Sequence, residues 1–326
     1  MSVYIIRRAL QSIVVMLVMA TLVFIGVYMI GDPAQLLVSA DADQADIDRM
    51  RRILGLDQPL WRQFLTFLVN LSQGDLGWSF AYGEPALGLV FQRMPATLEL
   101  VFVAMVMALT VGIPLGLYAG LHPERPMARL LMGTSIVGIS IPSFWQALVL
   151  IFVLAVSLQV LPAGGRAEAV TVFGSTSSLG TLDGWSHVFL PALNLALSQC
   201  TLIIRLVRTN VCEIALLDYI RFAWAKGLPR RRIVYVHILR NTLVVLVTVI
   251  GLQLGSVIAY AVITETIFAW PGMGKLIIDS ITRLDRPVTV AYLMVVVLIF
   301  ITINLVVDIL YTVIDPRIRL RGSGGQ

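Results

Sequence analysis

The sequence predicts an all-α integral membrane protein with six transmembrane helices. Of its 326 residues, 58% are hydrophobic and only 13% are charged, which is too little charge for the surface of a water-soluble domain of this length. Six charge-poor runs each supply roughly the 20 residues that cross the hydrocarbon core of a bilayer. These runs lack the alternating pattern of membrane β-barrel strands, so helices are expected.

The predicted segments alternate between the two sides of the membrane. The predicted spans are residues 9–31, 97–121, 130–158, 185–207, 241–264 and 288–312. The predicted extracytoplasmic segments are residues 32–96, 159–184 and 265–287, and the predicted cytoplasmic ones include residues 1–8, 208–240 and 313–326. The first run is longer than a signal-peptide core and no cleavage site follows it, so we expect a retained helix.

The distribution of basic residues predicts the orientation. Fifteen of the 24 Lys and Arg residues fall in the segments assigned to the inside, whereas only five of the 19 Asp and Glu residues do. Because cytoplasmic loops carry the excess of Lys and Arg, we expect both termini of this multi-pass protein in the cytoplasm. The basic residues are divided among short loops, which argues against nucleic-acid binding.

The outer segments have distinct compositions. In residues 32–96, the run SADADQADIDRMRRILG predicts a helix closed by Gly55, and DQPLWRQFLTFLVNL predicts a second, amphipathic helix. This segment is interpreted as a small cap over the mouth of a pathway. Residues 159–184 are rich in Gly, Ser and Thr and predict a flexible connector. In residues 265–287, Pro271, Gly272 and Gly274 predict a tight reversal.

Small residues and prolines mark positions within the spans. Proline residues interrupt two spans, and Pro114 and Pro142 are therefore candidates for kinks. Glycines recur at a spacing of four, which lets helix backbones approach closely in lipid. The predicted packing glycines are Gly112, Gly116, Gly120, Gly251 and Gly255.

Motifs for catalysis, metal binding or nucleotide binding are missing from the sequence. The GMGK run lacks the spacing of a phosphate-binding loop, and the three histidines fall in separate loops without metal-ligand spacing. Gly138-Ile139-Ser140 lacks the second glycine and the mid-membrane base that a hydrolase would need. Two cysteines indicate no disulfide framework.

Ionisable residues are rare within the spans, which argues against transport powered by the chain itself. Glu99 and Asp308 are expected at span ends, within reach of water.

The densest basic segment is DYIRFAWAKGLPRRRIVYVHILRN, residues 218–241, with six Lys or Arg and a single carboxylate. Its first part predicts an amphipathic helix with Tyr219, Phe222, Ala223 and Lys226 on one stripe, and Gly227 ends that helix. A basic amphipathic helix can lie on anionic lipid. A rigid helix with a fixed glycine stop also fits docking to a soluble partner, and the turn favours this second interpretation.

This segment resembles the cytoplasmic loop of permease subunits of binding-protein-dependent ABC importers, in the dipeptide, oligopeptide and nickel class. On that alignment Ala223 and Gly227 match the second alanine and the glycine of the family signature, while Arg221 and Phe222 replace its glutamate and first alanine. Further resemblance lies in LGLDQPLWRQF, GDLGWS, RMPATLEL, SIPSFW, ETIFAWPGMG and DPRIR.

The resemblance implies a type I ABC importer permease fold with a cytoplasmic coupling helix, in the inner membrane of a bacterial cell. It implies a second homologous permease, two ATPase subunits that bind ATP and Mg²⁺, an extracytoplasmic solute-binding protein and surrounding membrane lipid as partners. No cofactor, metal or catalytic residue is expected in this chain. The implied ATPase-contacting residues are Asp218, Tyr219, Arg221, Phe222, Ala223, Ala225, Lys226 and Gly227. Candidates for an outer gate or for binding-protein contact are Glu265, Trp270, Pro271, Gly272 and Asp279.

Peptides are the expected cargo. Nickel complexes, glutathione, opines and oligosaccharides remain alternatives within the class. A stand-alone ion-coupled transporter and a membrane enzyme are the alternatives from other classes, and the shortage of intramembrane charge and of catalytic motifs argues against both.

Overall fold

The computed structural model describes residues 2–29, 34, 38, 43–168, 170–172 and 175–314. The DPRIR run and the C-terminal tail therefore lie outside the described residues, as do the side chain of Asp308 and the end of the first predicted span.

Helices dominate the described chain, as predicted. They are α1 (Ser2–Met29), α2 (Gln44–Ile53), α3 (Leu60–Gln73), α4 (Ala86–Leu121), α5 (Pro126–Ser140), α6 (Ser143–Leu150), α7 (Leu182–Ala215), α8 (Asp218–Ala225), α9 (Arg230–Ile267), α10 (Met273–Thr282) and α11 (Arg286–Ile314). A π-helical stretch, Ile151–Ser157, continues α6, and another, Ile233–Leu239, lies within α9. An antiparallel hairpin pairs β1 (Val170–Val172) with β2 (Ser175–Ser177).

The six predicted spans are not confirmed as six helices. Among the described residues, four helices are long and apolar enough to cross a membrane: Ala86–Leu121, Leu182–Ala215, Arg230–Ile267 and Arg286–Val307. The pair α5 and α6 would make a fifth span if it crosses as one. The apolar stretch Leu10–Gly26 of α1 is not among these four helices.

The third predicted span is broken where Pro142 follows Ile141. The helix axes on either side of the break differ in direction by 106°. Ile141 is extended, with φ −82° and ψ 123°, because the ring of a following proline disfavours the helical conformation. Pro114 lies inside α4 without ending that helix. The break at Pro142 exposes two helix ends within a run that composition alone predicts to be continuous.

The described chain divides into two compact units. Residues Met1–Met94 and Lys275–Leu305 form the first unit. In it, Phe24 of α1 packs on Phe64 and Phe67 of α3, with ring centroids 5.2 Å and 5.8 Å apart. The amphipathic face predicted for this stretch is thus partly used against α1, while Trp61 remains exposed.

In the first unit, the start of α11 is fixed by Asp285, which is fully buried just before that helix. Its carboxylate accepts hydrogen bonds from the Ser79 hydroxyl and from the backbone N–H groups of Phe80 and Ala81, the latter two at 3.2 Å. Gly77 lies against the ring of Pro287. The GDLGWS run is therefore held by α11 through a buried carboxylate.

Residues Pro95–Gly274 and Val306–Gln326 form the second unit, in which α7 packs against α4, α5, α6 and α9. A Cβ added at Gly116 would lie 2.7 Å from Cβ of Val207, and one at Gly120 would lie 2.6 Å from Cβ of Val211. Both distances are shorter than real carbon contacts, so only glycine admits this spacing between α4 and α7. This close approach fixes α4 against α7, the helix that precedes α8.

The remaining predicted packing glycines lie at similar positions. A Cβ at Gly112 would lie 2.8 Å from Cγ2 of Ile203. On α9, a Cβ at Gly251 would lie 2.1 Å from Cγ2 of Val307, and Gly255 is buried. Each of these five glycines therefore lies on a buried helix surface.

Candidate functional site: an exposed helix and a buried outer corner

Helix α8 begins and ends at well-defined points. The carbonyl of Leu217 accepts hydrogen bonds from the N–H groups of Ile220 and Arg221, and Asp218 in the first turn has the charge that a helix N-terminus favours. At the other end Gly227 has φ +72°. Its N–H bonds to the Trp224 carbonyl, while the N–H of residue 228 bonds to the carbonyl of residue 223. This pair of bonds is a Schellman stop, which needs a left-handed residue at the position of Gly227.

Only two side chains of α8 face inwards. Ile220 and Ala223 are buried, and the helix packs against α7 and the π-helical stretch of α9. All six other residues of α8 are exposed. The predicted stripe is therefore wrong for Ala223, which shares the buried face with Ile220, three residues earlier, whereas Tyr219, Phe222 and Lys226 are exposed. The exposed face of α8 is rich in aromatic side chains, and little of it is covered by the rest of the described chain.

The exposed aromatic rings are held by neighbouring polar groups. The Lys226 ammonium lies 4.5 Å from the ring centroid of Phe222, a cation–π contact. Nδ2 of Asn241 donates to the Tyr219 hydroxyl at 3.0 Å, which links α8 to α9. The ion pair of Arg221 with Asp218 is long, at 3.7 Å, and solvent-exposed, so it adds little to stability.

The basic run after α8 also contacts the end of α4. Nη2 of Arg230 donates to Nε2 of His122 at 2.9 Å. This bond requires His122 to keep an unprotonated Nε2, and it joins two loops that the sequence predicts on the same side of the membrane. Hydrogen bonds therefore link α8 to α9 through Tyr219, and the run after α8 to the end of α4 through Arg230.

The second group of predicted residues forms a corner between α9 and α10. Glu265 is fully buried, with Oε1 accepting from the Thr97 hydroxyl at 2.6 Å and Oε2 accepting from the Gly274 N–H at 2.6 Å. Nε1 of the buried Trp270 donates to the carbonyl of Ala96 at 2.9 Å. These bonds tie the α9–α10 corner to α4.

The corner glycines have a different role from the one predicted. Neither Gly272 nor Gly274 has a positive φ. Instead, a Cβ at Gly272 would lie 2.4 Å from the Glu265 carboxyl carbon, and one at Gly274 would lie 2.5 Å from Cα of Val262. The glycines are needed because the backbone passes directly over a buried carboxylate.

The other residues assigned to the outer gate are less buried. Pro271 is half-buried, and Asp279 forms an ion pair with Lys275 at 2.7 Å on one face of α10. A gate and contact with a binding protein both remain predictions for all five residues.

A buried ion pair beside this corner was missed in the sequence. Arg166 Nη2 lies 2.5 Å from Oε2 of Glu99, and Glu99 also accepts from the hydroxyl and the N–H of Ser178. The Arg166 guanidinium lies 5.7 Å from the ring centroid of Trp270. The expectation that Glu99 is within reach of water is wrong, because residues 166 and 178 fold over it.

The loop that carries Arg166 and Ser178 is not the bare connector that its Gly, Ser and Thr content predicts. The N–H of Gly165 donates to the carbonyl of Phe268 at 2.8 Å, and Gly164 lies directly against the same carbonyl. Neither the RMPATLEL run nor the ETIFAWPGMG run indicates by itself that the two lie close together in the fold.

The acidic, histidine and cysteine side chains of the described residues are scattered rather than grouped as metal ligands. No group of three or more His, Cys, Asp or Glu residues among the described residues is placed to hold a metal ion. His187 pairs with Asp183 one helical turn away.

Family models decide the classification. The model for "Binding-protein-dependent transport system inner membrane component" matches residues 112–320, and the model for the N-terminal part of such membrane components matches residues 1–101. The chain belongs to this family. As a binding-protein-dependent permease, it is a transport subunit of an ABC importer.

Two curated relatives match this permease over most of its length. It is 42% identical over 308 residues to the "Probable D,D-dipeptide transport system permease protein DdpB" of Escherichia coli K12, covering 90% of each chain. It is 38% identical over 323 residues to the "Oligopeptide transport system permease protein AppB" of Bacillus subtilis 168, covering 98% of this chain and 99% of that one.

A solved structure supports the predicted fold. The MetNI methionine ABC transporter, in an inward-facing crystal form, matches with a TM-score of 0.55 at 18% identity, over 70% of this permease and 96% of that chain. At this identity the match supports the type I importer permease fold alone. Together with its apolar helices, family membership makes this permease an inner-membrane protein.

Proposed function

We propose that this permease forms one half of a translocation pathway for peptides and that α8 couples it to ATP hydrolysis on separate subunits. The observation that carries the proposal is α8 itself. It has six exposed residues, two buried anchors and a Schellman stop at Gly227. A helix with so few buried residues gains little stability from packing on its own chain. An exposed aromatic surface is suited to binding in the pocket of a partner protein.

The partner set follows the family. A second homologous permease completes the pathway, two ATPase subunits bind ATP and Mg²⁺, and an extracytoplasmic protein delivers the cargo. Closure of the ATPases displaces α8. The close contacts at Gly116 and Gly120 then transmit this displacement from α7 to α4. On this proposal both termini and α8 lie in the cytoplasm, and ATP is hydrolysed only in the partner chains.

Peptides are proposed as cargo because the two relatives described above are named as dipeptide and oligopeptide transport permeases. Nickel complexes, glutathione, opines and oligosaccharides are the competing cargoes. An ion-coupled transporter acting alone is the competing mechanism.

The test is uptake by the complete transporter. Mild detergent extraction followed by identification of co-purified chains gives the partners, which are then reconstituted with the permease in liposomes. Wild-type liposomes should take up labelled peptide only with internal ATP. Uptake driven by an ion gradient without ATP would support the competing mechanism instead.

Coupling is tested in the same liposomes. A triple variant, Tyr219→Ala, Phe222→Ala and Trp224→Ala, should reach the membrane yet abolish ATP-driven uptake. Tyr235→Ala, which removes an exposed aromatic ring of α9 outside α8, is the matched control and should transport normally. Normal uptake by the triple variant would contradict the proposed role of α8.

A further inference from the structure

An uncharged cavity opens in the second unit, between the break at residues 141–142 and helices α7 and α9. Its volume is about 430 Å³. None of its lining residues is charged. The hydrogen-bonding side chains in its wall are Ser143, Asn194, Ser198, Gln199, Gln253 and Tyr260.

The amide side chains of this wall lie far from the helix ends. Gln199 is near the middle of α7, and Gln253 is near the middle of the α-helical stretch Arg240–Ile267. Both helices are long and apolar enough to span a membrane. At that depth lipid offers no hydrogen-bond partner, and an unpaired amide costs several kcal/mol. Such side chains are kept where they meet water, another protein or a polar solute.

One part of the wall is already satisfied. Nε2 of Gln146 donates to Oδ1 of Asn194 at 3.0 Å, and Nδ2 of Asn194 donates to the Thr264 hydroxyl at 3.0 Å. This chain of bonds crosses from α6 through α7 to α9 and leaves Asn194 fully buried. It fixes the wall rather than offering groups to a ligand.

The other part is unsatisfied. Gln199 is only 8% exposed, and within the described residues neither its amide nor that of Gln253 makes a hydrogen bond. Each amide can donate two hydrogen bonds and accept through its carbonyl oxygen. The nearly buried Gln199 and the partly buried Gln253 therefore both line this cavity with hydrogen-bonding capacity that the described chain does not use.

We propose that Gln199 and Gln253 bind the main-chain amide groups of a peptide as it passes through the membrane. The proposal rests on the proposed function of peptide import. An amide side chain offers the same donor and acceptor pair as a peptide group, so it can pair with a backbone of any sequence. A wall without charge neither selects nor repels charged cargo side chains. The volume lies within the roughly 300–1,000 Å³ that is typical of small-ligand sites.

The test uses the complete transporter in liposomes, with a labelled tripeptide as probe. Gln199→Leu combined with Gln253→Leu keeps side-chain volume and removes both amides. ATP-driven uptake should fall roughly fivefold or more, as expected for the loss of one or two hydrogen bonds to the cargo. ATP hydrolysis stimulated by the binding protein should persist, so that more ATP is used for each peptide. Leu252→Met, an exposed position of α9 outside this wall, is the volume-matched control and should leave uptake unchanged.

A photo-reactive residue at Ser198 supplies a second readout that does not depend on rate. During turnover it should cross-link to the labelled tripeptide. Cross-linking only to the second permease would overturn the inference and assign these amides to the subunit interface. Equal uptake by the wild type and the double leucine variant would overturn it as well, while leaving peptide import intact. Absence of ATP-driven peptide uptake by the wild type would instead refute the proposed function, and this inference with it.

Discussion

The Thr97 hydroxyl donates to the buried Glu265 carboxylate at 2.6 Å and accepts a hydrogen bond from the Met273 N–H at 2.8 Å. One hydroxyl thus bridges α4, α9 and the start of α10. Because Glu265 also accepts from the Gly274 N–H, the carboxylate holds both sides of the corner. The corner is fixed by hydrogen bonds rather than by apolar packing alone.

Removal of this carboxylate should loosen the corner. Glu265→Ala leaves the Thr97 hydroxyl and the Gly274 N–H without their buried acceptor, at a cost of about 1–3 kcal/mol for each group. We expect a lower midpoint of thermal unfolding for the purified permease, followed by the fluorescence of its tryptophans. Glu168→Ala, which removes an exposed carboxylate, is the control. Equal midpoints for the two variants would show that the corner does not depend on Glu265.

The glycine contact between α4 and α7 makes a size-dependent prediction. Gly120→Ala places a methyl group 2.6 Å from Cβ of Val211, so the helices must separate, at a cost of about 1–3 kcal/mol. Gly133→Ala on α5, where no atom lies within 4 Å, is the matched control. Thermal unfolding in detergent should separate the two. A shared unfolding midpoint would argue against tight packing at Gly120.

The buried pair of Glu99 and Arg166 predicts strong coupling in a double-mutant cycle. Glu99→Leu or Arg166→Met alone leaves one charge buried without its partner and should destabilise the protein by about 3–5 kcal/mol. The double variant removes both charges and should recover much of that loss. Thermal unfolding of the four proteins measures the coupling. Additive losses would mean that the two side chains act independently.

The Schellman stop of α8 predicts a backbone effect. Gly227 has φ +72° and no neighbouring atom within 4 Å of an added Cβ, so Gly227→Ala introduces strain of about 1–2 kcal/mol without any clash. We expect weaker stimulation of ATP hydrolysis by the binding protein in liposomes, because the end of α8 frays. Gly83→Ala, with φ +68° and equally open surroundings, carries the same strain elsewhere. If both variants lose stimulation alike, the stop at Gly227 is not specific to coupling.

Periodicity and composition predict the apolar helices and the glycine stop of α8, because both are local properties of the chain. Gly116 and Gly120 could be identified in the same way, since their spacing puts them on one helix face. The partner residues, Val207 and Val211, could not, because nothing in α7 marks which face meets α4.

Features that depend on contacts between distant segments could not be predicted from the sequence. The bend of 106° at Pro142 was visible only as a kink candidate, since a proline gives no angle. Glu99 was assigned to a wet span end because its cover, Arg166 and Ser178, lies far along the chain. The unpaired amides of Gln199 and Gln253 look like ordinary polar substitutions until the cavity between α7 and α9 is seen.

Although the Tyr219 hydroxyl is also hydrogen-bonded to Asn241 of α9, the buried side chains of α8 are Ile220 and Ala223, so most of its outward residues can be replaced without disturbing the membrane-embedded part. A short graft that keeps these two residues and Gly227 would redirect the permease to the motor of another transporter. Matched pairs of such grafts would give importers that work in the same cell without sharing ATPase subunits.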